Sequence, residues 1–264
     1  MLFYKFDGAG NDFVIVDNRE GRLNLTQEQI SRICHRRFGI GADGLITLNR
    51  APQGFDFEMC YYNSDGRLGS MCGNGGRCIA AFAHILGLGD VLNFIGFDGP
   101  HSAEILQWDP ELGKGIVKLA MKDIDARQIS SCLDGSFLDT GSPHYVQSVD
   151  DLDHFDVVGV GRRIRHMSNL FPDGTNVDFI QHLPDGRLAV RTYERGVEDE
   201  TWACGTGVTA AAIVSGCHNL VAPGGQFRVD FQNDGTLYRH VYLTGPVSLN
   251  FTGHLPQNLI TLNS

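Results

Sequence analysis

The sequence predicts a strand-dominated α/β protein built as two similar halves, each organised on one principal helix. Three observations carry this. Short apolar and alternating runs, separated by Asn-Asp-Gly and Pro-Asp-Gly turn signals, outnumber helical patterns. A cysteine–glycine turn leading into a small-residue apolar stretch occurs twice, as "CGNGGRCIAAF" (72–82) and "CGTGVTAAAIV" (204–214). A second motif repeats in the same order, "GAGNDFVIV" (8–16) and "DGTNVDFIQ" (173–181). Two matched elements in one order read as an internal duplication.

Taken along the chain, "FVIVD" (13–17) is a buried strand. "NLTQEQISRICHRRF" (24–38) is a helix, with Thr26 as its cap, Gln29 three residues on, and Ile30, Ile33 and Phe38 sharing a face. "GLITL" (44–48) and "FDFEMCYYN" (55–63) are strands, followed by the turn "NSDGR" and the first cysteine–glycine helix. "GIVKLAM" (115–121) closes the first half. The second half has strands at "HYVQSV", "VDFIQHL", "RLAVRTYE", "QFRVDF" and "HVYLTG". The halves are therefore 1–120, carrying Cys72, and 121–264, carrying Cys204, with the last strand free to cross back to the first half. Nine residues before each cysteine stands a polar residue at a strand end, Asn63 and Arg195. "GIGADG" (39–44) matches the Gly-x-Gly-x-x-Gly dinucleotide fingerprint, but it follows a helix and leads into a strand, the reverse of that motif's context.

Composition narrows the function. A hydrophobic share of 42% is ordinary and supports a full core. The formal charge is −10 and the pI near 5.4, with no extended basic run, which argues against a nucleic-acid partner. The N-terminus "MLFYKFDGAGNDF" lacks a signal-peptide pattern, and the longest apolar stretch, "IAAFAHILGL", is about half a membrane span. The expectation is a soluble cytoplasmic protein that does not engage a membrane. Seven cysteines, at 34, 60, 72, 78, 132, 204 and 217, form an odd count with no Cys-x-x-Cys pair. That spacing favours neither a disulfide scaffold nor a structural zinc site, so no metal is expected.

The chemistry lies in the two cysteine–glycine turns. Gly73, Gly75 and Gly76 let successive amides point one way, and a helix starting there adds its positive dipole end. Such a turn suits a carboxylate or phosphate and favours the thiolate of its cysteine. One turn alone is compatible with a nucleophile, a redox thiol or a structural cap. If duplicated halves face each other, two helix N-termini hold one carboxylate and a sulfur stands on either side of the adjacent carbon. One sulfur then removes the α-proton, the other returns a proton to the opposite face, and the amides stabilise the enolate-like charge between the two steps.

The chain resembles the diaminopimelate epimerase family. The resemblance runs through "GAGNDFVIVD", "RRFGIGADGL", "YNSDGRLGSMCGNGGRC", "TGSPHYV", "GTNVDF" and "RTYERGVEDETWACGTG", six motifs in the family's order. It implies an α+β fold of two pseudo-symmetric halves, each a mainly antiparallel sheet curled around a central helix. It implies cofactor-independent epimerisation of LL-2,6-diaminopimelate to the meso form, with Cys204 as proton acceptor and Cys72 as proton donor. Gly73, Asn74, Gly205 and Thr206 would hold the reacting carboxylate. Asn11, Asn63, Asn176, Glu194 and Arg195 match substrate-binding positions, and His144 and Glu194 match residues assisting catalysis. A buried Arg195 guanidinium would suit the distal carboxylate. The resemblance also implies a homodimer. The sequence departs from the family pattern at Ser142, where Asn is common, at Gly44, where some members carry a polar side chain, and by one extra residue in the loop before Cys204.

Rival readings stand beside it. A proline or hydroxyproline racemase of the same fold shares the two-base logic but gives Arg195 no second anion. A thiol redox protein would want one low-pKa thiol and a resolving partner, and leaves two glycine-rich helix starts without a role. A pyridoxal-phosphate enzyme needs a Schiff-base lysine, and Lys5, Lys114, Lys118 and Lys122 lie in no such motif.

Overall fold

The computed structural model describes residues 1–69 and 72–256. The chain forms two compact units, Met1–Leu119 with the stretch from Pro246 on, and Ala120–Gly245.

The first unit opens with the hairpin of β1 (Leu2–Gly8) and β2 (Asn11–Asp17), in which Gly8 pairs with Asn11. Its two-residue turn, Ala9–Gly10, has φ of 60° and 90°, the left-handed geometry that matches the twist of paired strands. Helix α1 (Gln27–Cys34) follows, with the expected capping box of Thr26 and Gln29. It stops at Cys34, four residues short of the expected end, and Phe38 is 76% exposed instead of sharing the buried face of Ile30 and Ile33. Next come β3 (Gly44–Asn49), parallel to β2, and β4 (Phe57–Asn63), antiparallel to β3. "GIGADG" is the loop into β3 and opens no helix. Helix α2 (Gly73–Ile85) then leads to β5 (Val91–Gly96), parallel to β4, and the meander β6 (Gly99–Asp109) and β7 (Lys114–Ala120).

The second unit contains β8 (Ile124–Asp125), β9 (Ser130–Cys132), β10 (Gly135–Asp139) and β11 (Pro143–Ser148). Helix α3 (Val157–Arg165) is capped by Asp156, whose carboxylate accepts from the Gly159 amide. Then come β12 (Asn176–His182), parallel to β11, β13 (Leu188–Glu194) and β14 (Asp199–Thr201). Helix α4 (Gly205–Ser215) ends at Gly216, whose φ of 71° provides the left-handed stop. The chain continues through β15 (Asn219–Ala222), β16 (Gly225–Asn233) and the 18-residue β17 (Leu237–His254). The early part of β17 pairs with β16 and β8, whereas its end pairs with β1 and closes the ring of strands in the first unit.

Both units share one plan. A hairpin, an outer helix, a parallel strand with its own hairpin, the cysteine-led helix, another parallel strand and a meander follow in that order. This makes β2 the counterpart of β11, and β3 that of β12. The sequence match of residues 8–16 with 173–181 is therefore one strand out of step, because a glycine, an asparagine and an apolar run begin both kinds of strand. The central helices are buried on nearly every side, which is why their sequences are small and apolar all round instead of amphipathic. Strands between a central and an outer helix are buried on both faces, so β2 reads "FVIV" without alternation. Under α1 the outer core holds Phe3, Val14, Val16 and Leu45; under α3 it holds Tyr145, Val177, Phe179 and Tyr193.

Helix α3 escapes sequence patterning because two of its nine residues are glycine. Gly161 is required by contact, since a Cβ there would lie 2.4 Å from the Tyr193 Cβ. Among the described residues no helix is long and apolar enough to cross a membrane.

Candidate active site

Cys72 and Cys204 each occupy the residue before a central helix, in nearly the same backbone conformation: φ −104°, ψ 121° and φ −104°, ψ 113°. The third residue past each cysteine is a glycine that nothing larger can replace without displacement. A Cβ at Gly75 would approach the Ile46 side chain at 3.2 Å, and one at Gly207 would lie 2.3 Å from Asp178 Oδ1. First-turn amides of a helix have no intrahelical acceptor, so both starts offer donors and a positive dipole end to an anion. Gly73, Asn74 and Gly205 are buried at these starts, and Thr206 is half-buried.

In the first unit the Cys72 sulfur lies 3.5 Å from Asn11 Oδ1, and Asn74 Nδ2 lies 3.4 Å from the same oxygen. Asn11 is oriented from behind, donating its amide to Asp43 Oδ2 at 2.7 Å. Arg36 joins Asp43 to Asp12 through contacts of 2.6 and 2.7 Å, and Lys5 also donates to Asp12. Burial raises the Asp12 carboxyl, but hydrogen bonds and charge from Arg36 and Lys5 outweigh it and bring the pKa down to about 2. The wholly buried Arg77 braces the first turn of α2, donating to the Gly73 carbonyl at 3.1 Å and to Asn74 Oδ1 at 2.9 Å. Asn63 ends β4 opposite Gly44 and is exposed.

In the second unit the buried Cys204 sulfur lies 3.3 Å from Thr206 Oγ1. Thr206 Oγ1 lies 2.9 Å from His144 Nε2, and His144 Nδ1 lies 2.6 Å from Asp178 Oδ2. Asn176 donates to Ser142 Oγ and to the Pro143 carbonyl, both at 3.0 Å, and accepts the Arg195 amide at 2.8 Å. Glu194 ends β13. It is the strand-end counterpart of Asn63, a place that the nine-residue spacing assigns to Arg195. The Arg195 guanidinium is half-buried, not buried, and donates to the Asp173 carbonyl at 3.1 Å. Burial pushes the Cys204 thiol well above its ordinary value, and the charges of Glu194 and Asp178 add to this. Hydrogen bonds from Thr206 and the Gly207 amide pull it the other way without prevailing. The helix start therefore does not make Cys204 a thiolate at rest, contrary to the sequence expectation, because desolvation outweighs the local donors.

A family model described as diaminopimelate epimerase matches residues 3–92 and 136–249, spanning both cysteine turns. The chain belongs to the diaminopimelate epimerase family. The diaminopimelate epimerase of Flavobacterium psychrophilum is 42% identical over 264 residues, 95% of this chain and 98% of that one. That of Chlorobaculum tepidum is 47% identical over 208 residues, 79% of this chain and 80% of the relative. In three dimensions the chain matches a probable proline racemase from Agrobacterium radiobacter K84 with a TM-score of 0.72, over 97% of this chain and 92% of that one. At 14% identity that likeness shows a shared fold alone.

The departures from the diaminopimelate epimerase pattern have local physical accounts. Ser142 is part of the second-unit network, 3.0 Å from His144 Nε2 and 3.2 Å from Thr206 Oγ1. Gly44 is dictated by packing, because a Cβ there would lie 2.5 Å from the Tyr61 ring and 2.6 Å from the Tyr62 carbonyl. The longer loop before Cys204 folds back on β13 through β14 and turns through Gly196 and Glu198, both at positive φ. Sequence reasoning missed Asp43, Arg77, Asp178 and Thr192. Asp178 left a signal: an acidic residue inside the apolar strand "NVDFI", where burial requires a partner.

Proposed function

We propose that this chain epimerises LL-2,6-diaminopimelate to the meso isomer, Cys204 removing the α-proton and Cys72 delivering one to the opposite face. The observation that carries this reading is the pair of cysteines in matching conformation at the starts of two buried helices, in a chain 42% identical to a diaminopimelate epimerase over 95% of its length. The first-turn amides at Gly73–Asn74 and Gly205–Thr206 would hold the α-carboxylate and lower the cost of the charge that develops as the proton leaves. Asn11, Asn63 and Asn176 supply hydrogen-bonding groups for the substrate, and Arg195 supplies a cation for its distal carboxylate. A half-buried, singly bonded guanidinium can turn toward an incoming anion. Glu194 and His144 act beside the cysteines. The substrate's ammonium group, arriving beside Glu194, would offset part of the negative field that adds to burial in keeping Cys204 protonated.

No step of this chemistry calls for an electron sink such as pyridoxal phosphate. The one buried lysine, Lys5, is committed to Asp12 and to the Gly41 carbonyl. The proline-racemase reading gives Arg195 nothing to bind. The family resemblance further suggests a homodimer, which analytical ultracentrifugation reads directly. The deciding experiment follows α-proton exchange and meso product formation from LL-diaminopimelate in heavy water, with proline as the comparison. Deuterium at the inverted α-carbon of diaminopimelate is expected; turnover of proline alone would assign the chain to the rival racemases, and exchange of neither would remove the two-base reading.

A further inference from the structure

Behind Cys204 runs an unbroken chain of side-chain hydrogen bonds that ends on a carboxylate. From the sulfur it passes to Thr206 Oγ1 at 3.3 Å, to His144 Nε2 at 2.9 Å, and from His144 Nδ1 to Asp178 Oδ2 at 2.6 Å. The other carboxylate oxygen, Oδ1, accepts from Thr192 Oγ1 at 2.6 Å. The His144 ring and the Asp178 carboxylate are both wholly buried. A carboxylate only accepts, so His144 donates from Nδ1 and presents the Nε2 lone pair to the Thr206 hydroxyl. Ser142 Oγ, at 3.0 Å, is the other hydroxyl facing Nε2. The charged groups acting on Cys204 are Glu194, at the end of β13, and Asp178, on β12.

The first unit has the same scaffold with different side chains at the matching places. Phe13 pairs with Gly44, the first residue of β3, as His144 pairs with Asn176, the first residue of β12. Two residues on, Ile46 stands against Gly75 as Asp178 stands against Gly207. The places of the imidazole and the carboxylate are thus held by a phenyl ring and an isoleucine. A buried carboxylate is costly to maintain, and Asp178 is provided where an isoleucine takes the matching place in the first unit.

We infer that Asp178 is a positioning residue for Cys204, holding the His144 ring so that the thiol proton can leave by way of Thr206. This rests on the proposed role of Cys204 as the base. In the step, the Cys204 S–H bond breaks and its proton passes to Thr206 Oγ1 as the Thr206 proton passes to His144 Nε2. The products are a thiolate, an intact hydroxyl and an imidazolium beside the Asp178 carboxylate; no electrons are transferred. At the matching places behind Cys72 stand Phe13 and Ile46, so this imidazole–carboxylate pair belongs to the Cys204 helix start.

The test is the pH dependence of iodoacetamide alkylation at each cysteine, read by peptide mass spectrometry, alongside steady-state kinetics with LL-diaminopimelate. In Asp178→Asn the amide can donate to Nδ1 and turn the ring's proton to Nε2. Losing the Asp178 charge removes one field that raises the Cys204 thiol. With Nε2 no longer free to take the proton, alkylation of Cys204 at pH 7 should still fall about tenfold or more and its profile move to higher pH, with Cys72 unchanged. The kcat should fall roughly tenfold to a hundredfold with KM nearly constant, below the full loss of an acid–base group. Asp178→Glu should restore part of both. Thr206→Val, which breaks the chain in its middle, should reproduce the Cys204 alkylation shift and decides the matter if Asp178→Asn does not fold. An unchanged Cys204 profile in either folded variant overturns the relay. A Cys204 profile that depends on Asp178 in a protein inactive on diaminopimelate would support the relay and remove the proposed substrate.

Discussion

At the residue scale the seven cysteines separate by surroundings. Cys34 and Cys78 are fully packed in the core, and burial raises both thiols, Cys34 to about 12. Neither is placed for chemistry at a helix start. Cys72→Ser and Cys204→Ser should each lower epimerisation at least about a hundredfold, because a serine hydroxyl is too weak an acid to exchange a proton at neutral pH. Cys132→Ser, at a half-buried site, should leave turnover unchanged. Cys34→Ser should also spare the chemistry but lower stability by about 1–3 kcal/mol, since it puts a hydroxyl into an apolar cluster. Chiral chromatography and urea denaturation separate the two effects. Arg195 is the other informative residue. Its half-buried setting makes its contribution that of a charge-assisted hydrogen bond, so Arg195→Ala should reduce kcat/KM about tenfold or more. A loss below threefold would place the distal carboxylate elsewhere.

Among the elements, glycine positions show how closely helices and strands approach. Gly44 begins β3 against the Tyr61 ring and the Tyr62 carbonyl, and the backbone oxygen cannot swing away as a side chain could. Gly44→Ala should therefore destabilise by about 1–3 kcal/mol. Gly207 carries a different consequence. A methyl group there meets the Asp178 carboxylate, so Gly207→Ala should disturb the His144 ring and lower kcat as well as stability. Differential scanning calorimetry with kinetics on both variants checks this: a Gly207→Ala enzyme with normal kcat would show that the strand yields without moving His144.

For the whole molecule, the part-buried Lys5–Asp12–Arg36 cluster contributes a share of the loss of stability in acid. Folding lowers the Asp12 pKa from 3.8 to about 2, so the unfolded chain binds this proton more readily. The stabilisation is complete above pH 3.8 and is lost as the pH falls through about 2. Asp12→Asn should cost roughly 2 kcal/mol at pH 7 and flatten stability against pH in that window. Urea midpoints measured from neutral pH downward in both proteins test the sign; parallel curves would mean that the cluster is equally protonated in both states.

The sequence by itself determined the strand-rich duplicated plan, the capped helix at Thr26, the two cysteine-led helices and the family. These are written in local signals: turn residues, capping chemistry, small apolar runs and motif order. It also named Asn11, Asn74, His144 and Thr206, which stand at the cysteine turns, but not Arg77 or Asp178 beside them. Only the tertiary structure decided which strands correspond between the units, since a glycine–asparagine start to an apolar strand looks alike in β2 and β12. It also decided that Cys204 rests as a thiol, because burial and the fields of Glu194 and Asp178 arise from residues brought together by folding. Asp178 and His144 are 34 residues apart, and Thr206 is 62 from His144. No local pattern links them. The parallel pairing of β11 with β12, and the packing of α4 against both, is what makes them one hydrogen-bonded chain.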